Sequence, residues 1–537
     1  MFAMKSLTKL MAMGLLTVGL VACSSEDENI AQPGQNFGEG DKVFMSLNLS
    51  YPQSRAAGNP DIEVGTDAEN KVSTVQVILV KDGVVAASTV GSFAPGTSGN
   101  VNNKRYTATF NARDLLGLAG KQGVELYAVC NGSVDPLQLV QDKKSLTSVD
   151  FSTLASEAYW QQNGFLMTNA NGAALVASIP TRDILMTQNS TAATALPLGV
   201  VQVERAAARL DYQAAKAQNI YDVVSEEGGQ AVAAVDLDEY TVGNISKQFY
   251  SFIRTNADGS ASNMGTLGKG GSYVVDVDWG TTPAVIQPAV KNPNIDTQEG
   301  TYVNYKYKNL DQLSQNDNWQ DAGGATRNNY KVMTYLSENT TAKTAEGEKK
   351  GYVTAVYFKG HITANAHTPE PLKQAINSKE PLVVYHDMLM GTWAMVKELA
   401  SKTSADLAGT AFEGKVTEFQ AFQTNYQLAQ AEAQATPDKK ITHQIALRHG
   451  FTIYDVAPGT NQHEVYYPYW NQHDAANMTY GVVRNNVYKL QIKNIKKFGY
   501  PRQGDIDPDE PVKSNDIFFN LSVDVLPWAV KVNDIEF

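Results

Sequence analysis

Apolar residues occupy every second position of the stretch Val43-Phe44-Met45-Ser46-Leu47-Asn48-Leu49-Ser50-Tyr51, and the positions between them are polar except for Phe44. The apolar positions of this period are Val43, Met45, Leu47, Leu49 and Tyr51. A period of two over nine residues is typical of a β-strand that buries one face. Pro52 ends the pattern, because proline cannot donate to a strand ladder. Residues 53–60 continue as a polar loop that contains glycine and proline.

The same short alternating runs recur along the whole chain of 537 residues. Strands are predicted at 75–79, 106–110, 124–130, 165–168, 198–210, 240–242, 248–253, 273–277, 352–358, 488–492 and 517–525, and Lys81-Asp82-Gly83 marks a hairpin turn. Helical patterns are confined to a segment after Asp135, part of 381–402, and 415–435. Many short strands and few long helices predict a mainly β protein of two antiparallel β-sandwich domains with helical and loop insertions. We place the domains at 56–215 and 216–537.

The composition excludes several classes of protein. The chain carries 44 Lys and Arg against 56 Asp and Glu, a net charge of −12, which argues against a nucleic-acid-binding surface. Its only two cysteines are Cys23 and Cys130, so no disulfide framework is predicted. We expect Cys130 to be a small buried side chain in its strand.

The N-terminus has the pattern of a bacterial lipoprotein. Lys5 and Lys9 precede an uncharged apolar run at 10–20, which is too short for a stable transmembrane span. The following Leu20-Val21-Ala22-Cys23 resembles a lipobox, and the acidic tract at 24–28 resembles a surface-export signal of Bacteroidetes lipoproteins. We therefore predict a signal peptide at 1–22, lipidation of Cys23, and an outer-membrane lipoprotein precursor.

No motif indicates catalysis or a bound cofactor, and the sequence predicts a protein that is not an enzyme. The seven histidines include no HExxH pair, and the Gly-rich stretch at 265–271 lacks the Lys-Ser/Thr of a phosphate loop. His443 and His449, six residues apart, are expected to have structural or solvent-exposed roles. The acidic loop at 505–510 departs from the calcium-loop pattern, so a solvated loop is favoured and calcium binding is left open. No metal site is predicted.

Several segments resemble the fimbrillins of Bacteroidales, most specifically near the C-terminus. They are 466–471 (YYPYWN), 482–499 (VVRNNVYKLQIKNIKKFG), 522–528 (SVDVLPW), 203–209 (VERAAAR) and 165–169 (FLMTN). Within this family the chain is most similar to the major shaft subunit of the short, or minor, fimbriae. The resemblance is loose between about residues 90 and 200 and between 300 and 440.

The resemblance implies two transthyretin-like sandwiches and a defined maturation. An arginine-specific protease would cut after Arg55, so that the mature chain begins at Ala56 and loses the lipidated propeptide 23–55. The strand 43–51 would leave with it, and a strand from the next subunit would fill the vacated groove. The candidate donor residues are Val530, Val532, Ile535 and Phe537, and Pro527 is expected to mark where the chain leaves its own domain.

The implied function is a structural subunit of a cell-surface fimbria that contributes to adhesion and biofilm formation. Its partners would be further copies of itself, anchor and tip subunits, the protease, and host or bacterial surface receptors; the membrane is reached only through the precursor's lipid. The alternatives are a tip or accessory adhesin, which needs no donor strand, and a surface glycan-binding lipoprotein, or hydrolase, that stays monomeric. An ordinary terminal strand is the alternative for 530–537.

Overall fold

The computed structural model describes residues 41–50, 63–66, 68–93, 104–141, 160, 162–224, 230–246, 249–256, 266–268, 271, 273–277, 279, 295–296, 308–310, 330–345, 347–475, 478–512 and 519–530. In chain order the strands are β1 (Lys42–Ser50), β2 (Glu63–Gly65), β3 (Val75–Lys81), β4 (Val84–Phe93), β5 (Lys104–Asn111), β6 (Gln122–Cys130), β7 (Met167–Asn169), β8 (Ala174–Ser178), β9 (Leu196–Arg205), β10 (Ala208–Ala214), β11 (Ile220–Asp222), β12 (Ala234–Gly243), β13 (Ile245–Ser246), β14 (Arg254–Asn256), β15 (Thr266–Leu267), β16 (Tyr273–Val274), β17 (Ile295–Asp296), β18 (Lys308–Asn309), β19 (Lys331–Leu336), β20 (Asn339–Thr340), β21 (Ala355–Thr363), β22 (Leu382–Tyr385), β23 (Met388–Thr392), β24 (Phe451–Tyr454), β25 (Glu464–Trp470), β26 (Gln472–Ala475), β27 (Met478–Val482), β28 (Asn486–Ile495) and β29 (Phe519–Val530). The α-helices are α1 (Pro136–Gln141), α2 (Arg182–Gln188), α3 (Glu370–Ile376), α4 (Trp393–Ala400), α5 (Val416–Gln434) and α6 (His443–Arg448). The predicted mainly β class is confirmed.

The first half of the chain forms an eight-stranded sheet in the order β3-β4-β5-β1-β9-β7-β6-β8. Because β3 also pairs with β6, seven of these strands close into a ring. The predicted hairpin joins β3 to β4, and its turn residues Asp82 and Gly83 both have positive φ angles, of 52° and 77°. Two such angles in a two-residue turn give the twist that suits a tight hairpin. Cys130 is buried at the end of β6, as expected.

In the second half, two sheets share one apolar core. One sheet has the order β19-β10-β28-β29-β2, and the other has β11-β12-β21-β25 with β18 beside β12. Leu490 and Ile492 from the first sheet lie in the same buried cluster as Leu237, Phe358 and Tyr467 from the second. The transthyretin-like form of both sandwiches stays a prediction.

The chain passes from one sheet system to the other between β9 and β10. β9 ends at Arg205 and pairs with β1 and β7, whereas β10 begins at Ala208 and pairs with β19 and β28. Only Ala206 and Ala207 separate the two strands, and both are buried. The predicted domain boundary near residue 215 therefore has β10, a strand of the second system, on its N-terminal side.

A long excursion replaces a hairpin loop between β21 and β25, which are antiparallel neighbours. It contains the sheet β23-β22-β24 and helices α3 to α6. The helix predicted at 415–435 is confirmed as α5, which buries Phe419, Phe422 and Tyr426 on one face. These rings pack in a cluster of their own with Tyr385 and Phe451 of the small sheet.

Two local predictions were wrong. The described part of the predicted strand at 248–253 is not a strand, and β14 begins only at Arg254. Lys489, Gln491 and Lys493 alternate with the apolar residues of their strand, a pattern that predicts a solvent-exposed face, but the Lys489 side chain is buried, with Nζ 4.9 Å from the centre of the Tyr330 ring. β28 is an inner strand between β10 and β29, and Lys489 stands in register between Asp211 and Asp524. The buried Asp211 of the neighbouring strand β10 stands opposite this cation in the sheet. Within the described part of the chain, no helix is long and apolar enough to cross a membrane.

Candidate functional site

The first strand of the chain lies inside its sheet and not at an edge. β1 pairs antiparallel with β5, where Met45 faces Ala108 and Leu47 faces Tyr106. On its other side it pairs parallel with β9, where Leu47 faces Gly199 across a register shift. Both backbone edges of β1 are therefore used. β1 therefore lies between β5 and β9, and no hairpin turn connects it to either strand.

The apolar face of β1 is fully buried. Val43, Met45, Leu47 and Leu49 are each at most 1% exposed. The side chains that line the sheet beside them, including Tyr106, Phe110 and Val201, are equally buried. Four of the five residues predicted for the displaced strand thus share one core; the fifth, Tyr51, lies outside the described residues.

Removal of β1 would leave a long apolar groove. Burying one large aliphatic or methionine side chain contributes about 1.5–3 kcal/mol. The four buried side chains together account for roughly 10 kcal/mol, an upper value because an unfolded chain already buries part of its apolar surface. The backbone groups of β5 and β9 that now bond to β1 would also lose their partners. A chain lacking β1 would need another strand in its place.

The strand that follows the predicted cleavage point, β2, belongs to the sheet that contains β10, β28 and β29. Arg55 and Ala56 lie outside the described residues, as does the lipidation residue Cys23. The chain is next described at β2, which pairs in parallel with the end of β29. β2 and the end of β29 therefore share one ladder, where Gly65 faces Val530.

The C-terminal strand is long and stays paired beyond Pro527. Pro527 faces Asn486, the first residue of β28, so the antiparallel ladder with β28 ends there. The next three residues, 528–530, pair with β2 instead. Of the predicted donor residues, Val530 is the last of β29, and Val532, Ile535 and Phe537 lie outside the described residues. β29 thus leaves its β28 ladder at Pro527 but stays paired with β2 of the same sheet, and departure of the chain from its own domain at this proline stays a prediction.

A buried polar cluster, here the junction cluster, holds the two sheet systems together at the change from β9 to β10. It consists of Glu69, Arg205, Arg209, Tyr335 and Asn485. Arg209 donates to the Glu69 carboxylate at 2.7 Å, and the Tyr335 hydroxyl donates to the same oxygen at 3.0 Å. Arg205 donates to the Glu69 carbonyl oxygen at 3.1 Å and to the Asn485 side chain at 3.2 Å.

The electrostatics of the junction cluster keep Glu69 ionised. Burial by itself would raise the pKa of this carboxyl, but the Arg209 guanidinium, the backbone N–H of Thr66 and the Arg205 charge outweigh it and hold the pKa below its ordinary value. Sequence reasoning missed Glu69. The segment 203–209 was singled out only for its family resemblance, although its two arginines four residues apart in strands were a signal of buried charge needing a partner.

A second buried ion pair lies next to the junction cluster. Arg484 donates to both oxygens of Glu338, with a shortest distance of 2.7 Å, and to the backbone oxygen of Ser251 at 2.9 Å. Thr168 of β7 donates to the same Ser251 oxygen at 2.7 Å. Thr168 and Arg484 belong to two of the segments that resemble fimbrillins, 165–169 and 482–499, and both side chains donate to the backbone oxygen of Ser251. They connect the two sheet systems and have no catalytic arrangement.

The acidic loop at 505–510 does not gather its carboxylates in the described structure. Glu510 instead pairs with the buried ammonium of Lys350 at 3.0 Å. Asp507 accepts from the backbone N–H of Asp509 at 2.9 Å, a turn contact. His443 Nε2 lies 2.8 Å from the Asp455 carboxylate and His449 Nε2 lies 2.9 Å from the Glu432 carboxylate, which agrees with the structural role expected for these histidines.

Comparison with known proteins places one segment in a family. Residues 461–534 match the family described as Major fimbrial subunit protein type IV, Fimbrillin, C-terminal. The match covers β25 to β29, and it confirms the resemblance to fimbrillins for this part of the chain. A comparison with curated proteins finds no significant match.

Solved structures of similar extent share little sequence with this chain. A fimbrilin from Porphyromonas gingivalis W83 has 13% identity and a TM-score of 0.39, over 92% of this chain and 100% of that one. The tip fimbrial protein Mfa3 from Porphyromonas gingivalis, with C-terminal truncation, has 11% identity and a TM-score of 0.33, over 91% of this chain and 100% of that one. The geometry of β1 and the family match therefore carry the functional argument.

Proposed function

We propose that this chain is a structural subunit of a cell-surface fimbria that polymerises by strand exchange. The position of β1 is the observation that carries the proposal. It is the first strand of the described chain, it fills the middle of a sheet, and the next twelve residues of the sequence, 51–62, contain a single arginine. The fimbrillin match at 461–534 supports a role in a fimbria.

In this proposal the precursor is a lipoprotein of the outer membrane, acylated at Cys23. Cleavage between Arg55 and Ala56 by an arginine-specific protease releases β1, and a segment from a second copy replaces it. The candidate donor comprises Val530, Val532, Ile535 and Phe537. Groove and donor lie on different parts of each subunit, so the contact is head-to-tail and propagates as a filament. The mature protein would then form the extracellular fimbria and contribute to adhesion and biofilms.

The test is Arg55→Ala, compared with the wild type before and after treatment with an arginine-specific protease. Wild-type subunits in fibres should begin at Ala56, with a mass of about 52 kDa for 482 residues, scaled from 58.3 kDa for the full 537. The variant should stay monomeric in electron micrographs, because β1 would remain in its groove. Arg113→Ala, which removes an exposed arginine from a 3₁₀ segment, should polymerise normally. Fibres built from subunits that begin at Cys23 would overturn the proposal.

A tip or accessory adhesin is the second candidate, since it would have the same groove. The two roles differ in what happens when the C-terminal segment is removed. A shaft subunit loses polymerisation, whereas a tip subunit still accepts a donor and caps a fibre.

A further inference from the structure

A β-bulge in β12 gathers acidic side chains on one face of its sheet. The pairing of β12 with β21 shifts at this point: Leu237 faces Gly360 and Glu239 faces Lys359, so Asp238 is an extra residue without a partner in the ladder. Val235, Leu237 and Tyr240 point into the core, whereas Asp236, Asp238 and Glu239 are all partly exposed. Bulges of this kind re-aim a side chain. Here the bulge brings the Asp238 carboxylate toward β21.

His361 of β21 stands directly opposite Asp236. Its Nδ1 lies 2.7 Å from the Asp238 carboxylate. One oxygen of Asp236, one oxygen of Asp238 and a ring nitrogen of His361 all lie within 4.8 Å of one another. One nitrogen and two oxygen donors thus converge from two adjacent strands.

The surrounding charges leave this group acidic. Lys359 lies between Glu239 and Glu464, at 3.0 Å from each, so its positive charge is shared by those two carboxylates. Two aspartates then face one imidazole. Burial opposes a charge on His361, but Asp238, Asp236 and Glu464 together raise its pKa above the ordinary value.

We propose that Asp236, Asp238 and His361 form a binding site for a divalent transition-metal ion, with zinc as the best fit. Imidazole nitrogen and carboxylate oxygen are donors that zinc accepts, and three protein ligands with water in the fourth position make a tetrahedral site. Ligand distances of about 2.0–2.2 Å place tetrahedral donor atoms about 3.3 Å apart. The three donor atoms now lie within 4.8 Å of one another, so they would move closer together on binding an ion. The metal replaces the proton shared by His361 and Asp238, which leaves to solvent.

The proposed metal site is independent of fibre assembly, because β12 and β21 belong to a different sheet from β1. A bound ion would tie the bulge of β12 to β21, next to the point where β21 leads into the long excursion. The ion would therefore stabilise the sheet from which the helical insertion departs.

The experiment is calorimetric titration of zinc into the untagged, purified full-length chain. The wild type should bind one ion at a saturable site. His361→Ala and Asp238→Asn should each weaken binding at least about tenfold, and zinc should raise the melting temperature of the wild type more than that of either variant. His443→Ala is the matched control, because it removes another histidine paired with a single aspartate, and it should bind zinc as the wild type does.

Cobalt provides a second readout, because its visible absorption reports the ligand geometry. The wild type should show a tetrahedral cobalt band that Asp236→Asn reduces. Absence of saturable zinc binding by the wild type would overturn the proposal. Binding of zinc by His361→Ala and Asp238→Asn as tight as that of the wild type would overturn it as well.

Discussion

The buried carboxylate of Glu69 makes a pH-dependent contribution to the stability of this molecule. Its side chain is fully buried, and its carboxylate accepts hydrogen bonds from Arg209 and Tyr335. The pKa of Glu69 lies below its ordinary value, so the carboxylate contributes stability above the pKa of the unfolded chain, about 4.3. That contribution is lost as the pH falls through the lower pKa of the folded chain.

Glu69→Gln should therefore destabilise the protein at neutral pH. Removing one partner of a buried ion pair costs about 3–5 kcal/mol where the other charge is left alone, and the cost here should lie at the low end of that range because Arg209 keeps the buried Asp211 carboxylate at 3.2 Å. The difference from the wild type should shrink as the pH falls from the pKa of the unfolded chain, about 4.3, through the lower pKa of folded Glu69, where the wild-type carboxylate becomes protonated as well. Urea unfolding followed by circular dichroism at several pH values measures this.

Glu432→Gln is the control for that experiment. Glu432 pairs with Arg448 and His449 through hydrogen bonds that also lower its pKa, but it lies at the surface in solvent. The substitution should change stability little at any pH. A Glu69→Gln chain as stable as Glu432→Gln at neutral pH would show that the junction cluster does not hold the sheets together.

At the scale of elements, local patterns predicted the strands and the long helix but not their neighbours. The alternation in 43–51 correctly indicated β1 and the residues it buries, because side-chain direction in a strand follows sequence parity. Nothing local to β1 indicates that β5 and β9 flank it, since those strands lie about 60 and 150 residues further along the chain. Burial of Lys489 was missed for the same reason, because it depends on β10 and β29 on either side of β28.

The Asp236, Asp238 and His361 group shows the same limit. Its aspartates and histidine are 123 residues apart for the closest contact, so spacing along the sequence carries no signal. The bulge in β12 is itself visible only once β21 is paired with it. Sequence motifs find metal sites when the ligands share one turn or helix, and this group is built across two strands.

The end of β29 permits a sharper test of the donor strand than deletion of 530–537. Removal of 531–537 leaves β29 and its pairing with β2 complete, so the subunit should remain folded. After cleavage at Arg55 it should stay monomeric by size exclusion and microscopy, because the groove left by β1 would have no apolar strand to fill it.

Substitutions within the same segment separate side-chain effects from length. Replacing Val532, Ile535 and Phe537 by serine should also prevent polymerisation, since these residues supply the apolar area. Replacing Lys531 and Asn533 by serine should leave polymerisation unchanged. If the chain lacking 531–537 still forms fibres of normal length, the donor lies elsewhere.

At the scale of the whole molecule, the proposed precursor must reach the surface before it loses its first strand. While β1 fills its groove, the apolar sites between β5 and β9 are closed, and the subunit has no open edge there for a second copy. Lipidation and cleavage would then act in order: the acyl chains hold the precursor at the membrane, and the cut after Arg55 separates the folded subunit from them. A polymer formed this way should resist heat and detergent, because release requires a whole strand to leave at once.

Cys23→Ala tests that order. The thiol of Cys23 is the only predicted point of acylation, and stable anchoring needs more than one acyl chain. We expect surface labelling of cells to show loss of the precursor from the surface, and microscopy to show few or no fibres, although the subunit still folds because residue 23 precedes β1. Ser24→Ala, the matched neighbouring substitution, should leave surface delivery and fibre number unchanged. Normal fibre density on cells that carry Cys23→Ala would mean that the subunit reaches its site of assembly without a lipid, and the lipoprotein step would then drop out of the proposed function while the exchange of β1 could stand.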